Sequence, residues 1–208
     1  MPDRPLFLLA PGAGAPSTHP WMQRWKHYLS NIGEVVLFDY LYMRNGSRRP
    51  DPLPQLVATH HAALTEARKG HKGHVFLAGK SMGGRIGCHV SLEEPVSGLI
   101  CFGYPLCGAG DPSRMREAVL RKLSTPILFL QGTRDNLCPL DLLEEVRSAM
   151  TAPNRLHVVP EGDHSLAVTK RRLRGEAITQ DDVDRGVAAE VDQFTKAVIS
   201  GAIERKLN

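Results

Sequence analysis

Long apolar runs are missing from this 208-residue chain: none approaches the ~18 residues of a membrane-crossing helix, so no membrane partner is expected. Cysteine is scarce. The four present, Cys88, Cys101, Cys107 and Cys138, show neither C-x-x-C nor Cys/His ligand spacing. That argues against a disulfide framework and a zinc site, and reads as buried, reduced thiols in a cytoplasmic protein. Charge of one sign is lacking too. Lys+Arg number 26 and Asp+Glu 22, leaving +4 spread along the chain, too weak to imply nucleic acid. Repeats, low-complexity tracts and linkers are absent, so residues 1–208 read as one domain. The start, Met1 to Pro5, runs into an apolar stretch that Pro11-Gly12 ends too early for a signal peptide. Apolar content of 42% and charged content of 23% suit a globular domain with a sizeable core.

Short apolar runs alternate with helical stretches. Strands are expected at 6–10, 35–38, 74–78, 98–102, 127–130 and 156–159, and helices at 21–31, 54–69, 82–92, 113–123, 141–150 and 181–200. The strand runs lack period-two alternation, as in parallel strands buried on both faces. The pattern predicts an α/β fold, about six mostly parallel strands flanked by helices on both faces. In such a sheet the functional loops follow the C-terminal strand ends.

Gly79-Lys80-Ser81-Met82-Gly83 occupies such a place, after Val75-Phe76-Leu77-Ala78 and before Gly83-Gly84-Arg85-Ile86-Gly87. This is G-x-S-x-G at a strand-to-helix turn, which holds a serine at its apex with its side chain exposed. A phosphate-loop reading fails because position 74 is His74 and not glycine. Lys80 is a poor general base for Ser81, since neighbours at a tight turn point apart. Serine needs a base, and the base an orienting acid. Asp135 follows the fifth expected strand and His164 the sixth, in Glu161-Gly162-Asp163-His164-Ser165. Ser81, Asp135 and His164 are therefore the catalytic candidates. Asp163 and Glu161 read as turn residues. His60 and His61 sit mid-helix and His71 and His74 near a strand start, at the wrong edge, where solvated or capping roles are expected.

Two backbone donors would complete an oxyanion hole: the N–H of Met82, after the nucleophile, and that of Ala13 in Pro11-Gly12-Ala13-Gly14-Ala15-Pro16. The loop after the second strand, Asp39 to Pro50, offers Tyr42, Arg48 and Arg49 as substrate contacts, with Tyr104 after the fourth strand. Lys170-Arg171-Arg172-Leu173-Arg174 reads as a solvated face.

Together these residues resemble the α/β-hydrolase superfamily from Leu6 to about Ser200, and within it the small, lidless dienelactone-hydrolase-like group. The chain is more closely similar to a family of predicted hydrolases that includes a subunit of the NSL histone-acetyltransferase complex and a testis-expressed relative. The carriers are Pro11 to Pro16, Tyr42-Met43 with Arg48-Arg49-Pro50, Gly79 to Arg85, Gly103-Tyr104-Pro105-Leu106, and Gly162 to Ser165. Two positions depart from that pattern: Pro11, where many relatives carry histidine, and Cys107, where histidine is expected. The resemblance implies a Ser81–His164–Asp135 triad, a minimal lidless fold, and a serine hydrolase of a small carboxylic ester or thioester, needing neither metal nor cofactor. The alternative is a non-catalytic module that keeps the fold and acts in a protein complex.

Overall fold

The computed structural model describes residues 4–108 and 110–203. In chain order it runs β1 (Leu6–Ala10), α1 (Pro20–Ser30), β2 (Glu34–Leu37), α2 (Leu41–Arg44), α3 (Leu53–Ala67), β3 (Val75–Lys80), α4 (Met82–Val90) and β4 (Gly98–Phe102). A ribbon of β5 (Cys107–Gly108) and β6 (Asp111–Met115) follows, then a 3-10 turn at Leu120–Lys122. The remaining elements are β7 (Ile127–Gly132), α5 (Leu140–Ser148), β8 (Asn154–Val159), α6 (Lys170–Gly175) and α7 (Gln180–Ile199).

Six strands form one sheet in the order β2-β1-β3-β4-β7-β8, with every pairing parallel. Parallel neighbours need crossovers, which put helices on both faces, and the core divides accordingly. Leu6, Leu8, Val75, Leu77, Ile127 and Phe129 pack with Leu64 of α3, Cys88 of α4 and Leu143 of α5. Their strand neighbours Phe7, Leu9, Phe76, Ala78 and Leu128 turn to the other face, against Trp25 and Leu29 of α1 and Val191 and Phe194 of α7. Fully burying one such side chain stabilises by roughly 1.5–3 kcal/mol. The order reverses between β1 and β3, so the crevice beyond their C-terminal ends lies at the sheet's switch point.

The helix expected over 113–123 is not formed. Arg116 N–H donates to the Leu106 carbonyl at 2.7 Å, and Asp111 Oδ1 takes both the Ser113 N–H and its hydroxyl. These bonds hold the segment as the β5–β6 ribbon, where residues 111–114 are exposed. Buried Val119, Leu120 and Leu123 have helical spacing but need only the 3-10 turn. The basic run forms α6, with Arg172 paired to Glu176 at 2.9 Å and Arg171 to Glu161 at 3.5 Å.

Candidate active site

β3 ends at Lys80 and α4 starts at Met82, so Ser81 alone turns the chain. Its backbone sits at φ 49°, ψ −115°. A non-glycine residue there costs of order 1–3 kcal/mol, held only because its surroundings over-determine it. The Ser81 N–H donates to the Phe102 carbonyl at 2.9 Å and its carbonyl accepts from Arg85 N at 3.2 Å. Gly83 makes the turn possible by close approach: a Cβ there would stand 2.6 Å from the Ala10 and Pro11 carbonyl oxygens.

Ser81 Oγ lies 2.8 Å from His164 Nε2, and His164 Nδ1 lies 2.7 Å from Asp135 Oδ2. Three loops at one sheet edge thus bring a hydroxyl, an imidazole and a carboxylate into one line. His164 fits because Gly103, at φ 64°, carries no Cβ; one would fall 2.6 Å from the His164 carbonyl oxygen. Asp135 is almost wholly buried, yet its charge is well served. Besides His164 it accepts from the Leu137 N–H at 2.9 Å and from the Gln131 side-chain amide. Such a line can move a proton from hydroxyl to ring while the carboxylate steadies the resulting imidazolium.

The N–H groups of Met82 and Ala13 have no acceptor among the described residues. For Met82, first residue of α4, this is the rule at a helix N-terminus. The Ala13 carbonyl accepts the Tyr42 hydroxyl at 2.9 Å. Burial, with Asp51 and Asp39 adding to it, pushes the Tyr42 pKa up to about 12, so the hydroxyl stays a donor. Beside this loop lies a groove of about 390 Å³, lined by Ala13, Gly14, Tyr42, Met43 and Arg48 among others.

The family model for the alpha/beta hydrolase domain matches residues 3–196. The chain belongs to that family. Its fold is similar to that of an alpha-beta serine hydrolase homologue from Coxiella burnetii: TM-score 0.70, 17% identity, 91% of this chain and 86% of that one covered. It is also similar to a dienelactone hydrolase from Anabaena variabilis, at TM-score 0.67 and 18% identity, covering 93% and 87% of the two chains. Est1E from Butyrivibrio proteoclasticus, solved with bound ferulic acid, matches at TM-score 0.63 and 16% identity over 89% and 90%.

Within this alpha/beta hydrolase domain, other expected contacts fall elsewhere. Tyr104 is fully buried against Phe129 and its hydroxyl donates to the Arg116 carbonyl at 2.8 Å, so it presents nothing to a substrate. Tyr42, 3% exposed, donates its hydroxyl proton to the Ala13 carbonyl and lines the groove beside that loop. Arg48 and Arg49 are exposed, and Arg48 lines the groove. Asp163 Oδ1 accepts the Ser165 and Ala167 N–H groups, closing the turn that presents His164. His60 is neither solvated nor capping: it is fully buried, its Nδ1 3.2 Å from the Tyr40 hydroxyl. Among the described residues no cluster of His, Cys, Asp and Glu could hold a metal ion.

Gln131, and the contacts made by Lys80, escaped the sequence reading. Gln131 joins the site from below, its Oε1 accepting the Tyr104 N–H at 3.1 Å while its amide serves Asp135. A polar residue closing an apolar strand was the available signal. The Lys80 ammonium donates to Ser165 Oγ and lies 4.9 Å over the Trp21 ring. Burial lowers the Lys80 pKa, opposed mainly by the Asp163 carboxylate. Trp21 Nε1–H donates to the Ser165 carbonyl at 3.0 Å, so both grip the loop carrying His164.

Proposed function

We propose that the chain is a serine hydrolase of small carboxylic esters or thioesters. The observation carrying this reading is the continuous line Ser81 Oγ–His164 Nε2–His164 Nδ1–Asp135 Oδ2, at 2.8 and 2.7 Å. Ser81 Oγ attacks the substrate carbonyl while His164 Nε2 takes its proton. The Met82 and Ala13 N–H groups receive the oxyanion, each such donor being worth roughly 10²–10³ in rate. His164 returns the proton to the leaving alkoxide or thiolate, and the tetrahedral intermediate collapses to an acyl-Ser81. Water, deprotonated by His164, then releases the acid. Asp135 keeps the Nδ1 proton on His164 throughout.

Small substrates are favoured because the described residues between β4 and β7 form a ribbon and a 3-10 turn and no helical lid. The closer kinship to the NSL-subunit and testis-expressed relatives belongs to the same proposal, supported by Gly79 to Arg85. So does a cytoplasmic setting, which suits four free, buried thiols. Turnover of p-nitrophenyl acetate and fluorophosphonate labelling are the tests, read on the intact protein and on Ser81→Ala. Both are expected to vanish in Ser81→Ala, with turnover falling at least ~10³-fold. Turnover that survives the substitution refutes the nucleophile. A wild-type protein that neither labels nor turns over returns the chain to the non-catalytic module.

A further inference from the structure

Arg85 stands one helical turn after Ser81, with its N–H on the Ser81 carbonyl. Helical side chains lean as a rule toward the helix N-terminus, which for Arg85 is the turn that carries the serine. Its guanidinium has five N–H donors and no hydrogen-bond or ion-pair partner among the described residues; its Nε is sealed from solvent as well. A half-buried cation without an anion has lost hydration and gained nothing in exchange. The surroundings repeat the deficit. Tyr104, Cys88 and Tyr40 are its electrostatic neighbours, and the charged side chain among them is another cation, Arg116 just after β6, which has no side-chain hydrogen bond or ion pair among the described residues. The acids of this region are engaged elsewhere: Asp111 by Ser113, Glu117 by Arg121, Asp135 by His164 and Gln131.

Resting on the hydrolase reading, we propose that Arg85, assisted by Arg116, is a specificity-determining subsite for a carboxylate at the far end of the acyl group. The preferred substrates are then half-esters or half-thioesters of short dicarboxylic acids. A planar guanidinium matches a carboxylate by paired N–H···O bonds. The pitch of one turn, ~5.4 Å, suits an acyl chain of a few carbons between the ester carbonyl and the acid.

The experiment compares 4-nitrophenyl hydrogen glutarate with the neutral 4-nitrophenyl pentanoate, after subtracting spontaneous hydrolysis. The readout is the ratio of their kcat/KM values within each protein. In the wild type the anionic ester is expected to be preferred by about tenfold to a hundredfold, the worth of hydrogen bonds to a charged group. Arg85→Met should bring the ratio near unity, Arg85→Lys should keep part of it, and Arg116→Gln, at an exposed position, should lower it in a protein whose fold is not at risk. No preference in the wild type, or a ratio unchanged in Arg85→Met and Arg116→Gln, overturns the subsite. If neither ester is cleaved, the hydrolase reading has failed, and the subsite is read by binding alone. Glutarate should raise the Tm of Ser81→Ala, and should not do so once Arg85→Met is added. No rise, an equal rise in both, or a larger rise with inorganic phosphate overturns the carboxylate assignment.

Discussion

At the scale of single residues, the buried carboxylate of Asp135 depends on a neighbour, Gln131, whose side-chain hydrogen bonds go to Asp135 and Tyr104 and not to His164 or Ser81. Gln131 gives Asp135 a side-chain N–H and takes the Tyr104 N–H at 3.1 Å. Replacing it by leucine removes both. Gln131→Leu is expected to lower kcat by about tenfold to a hundredfold with little change in KM, because Asp135 loses a charge-assisted bond and the imidazole its fixed partner. It should also destabilise the fold by about 1–3 kcal/mol, since a buried N–H is left unpaired. Steady-state kinetics and a urea titration check the two halves; an unchanged kcat would remove Gln131 from the site. The three residues that meet in the structure were readable from the sequence because each follows a strand of the parallel sheet, and the C-terminal strand ends converge on one edge. Tyr42 and Tyr104 were not, because sequence position tells that a ring is near an edge but not which way it points. Their hydroxyls face the Ala13 and Arg116 carbonyls.

Secondary-structure elements show the same division. The strands and most helices announce themselves through composition, but the ribbon of β5 and β6 depends on non-local bonds such as Arg116 N–H to Leu106. No periodicity encodes these, and buried Val119, Leu120 and Leu123 imitate a helix. The docking of α3 onto α4 also rests on something unread, the burial of His60. Dehydration lowers its pKa from the usual 6.5 to about 3, so the native ring stays neutral where the unfolded one is charged. Between those values the unfolded chain binds the extra proton, and stability therefore falls as the pH drops through the window. The slope from this group is at most about 1.4 kcal/mol per pH unit. Urea midpoints for wild type and His60→Phe at pH 7 and pH 4.5 should show a smaller acid loss in the variant. An equal loss in both would acquit His60.

For the whole molecule, the decisive regularity is that neighbouring residues along a strand serve opposite cores. Phe7 and Leu9 meet α1 and α7, while Leu6 and Leu8 meet the other helical layer. That double burial made the inner strands β1, β3, β4 and β7 apolar nearly throughout, and hence made the parallel sheet legible in the sequence, while the edge strands β2 and β8 are partly exposed. The contact of Lys80 with Trp21 could not be foreseen in this way, because side chains far apart in sequence make it, both of them meeting at Ser165.

The chain has two tryptophans, and they occupy different electrical settings. Trp25 is sealed in the core, whereas Trp21 carries an ammonium above its ring and passes its N–H to the residue beside His164. Trp21 is thus an optical gauge already installed at the candidate site. In Trp25→Phe, whose emission comes from Trp21 alone, phosphonylation of Ser81 by a fluorophosphonate should shift the intensity or wavelength of emission. Ser81→Ala in the same background should stay dark to the reagent. A signal that ignores phosphonylation would mean that the loop of His164 holds still while the serine is occupied.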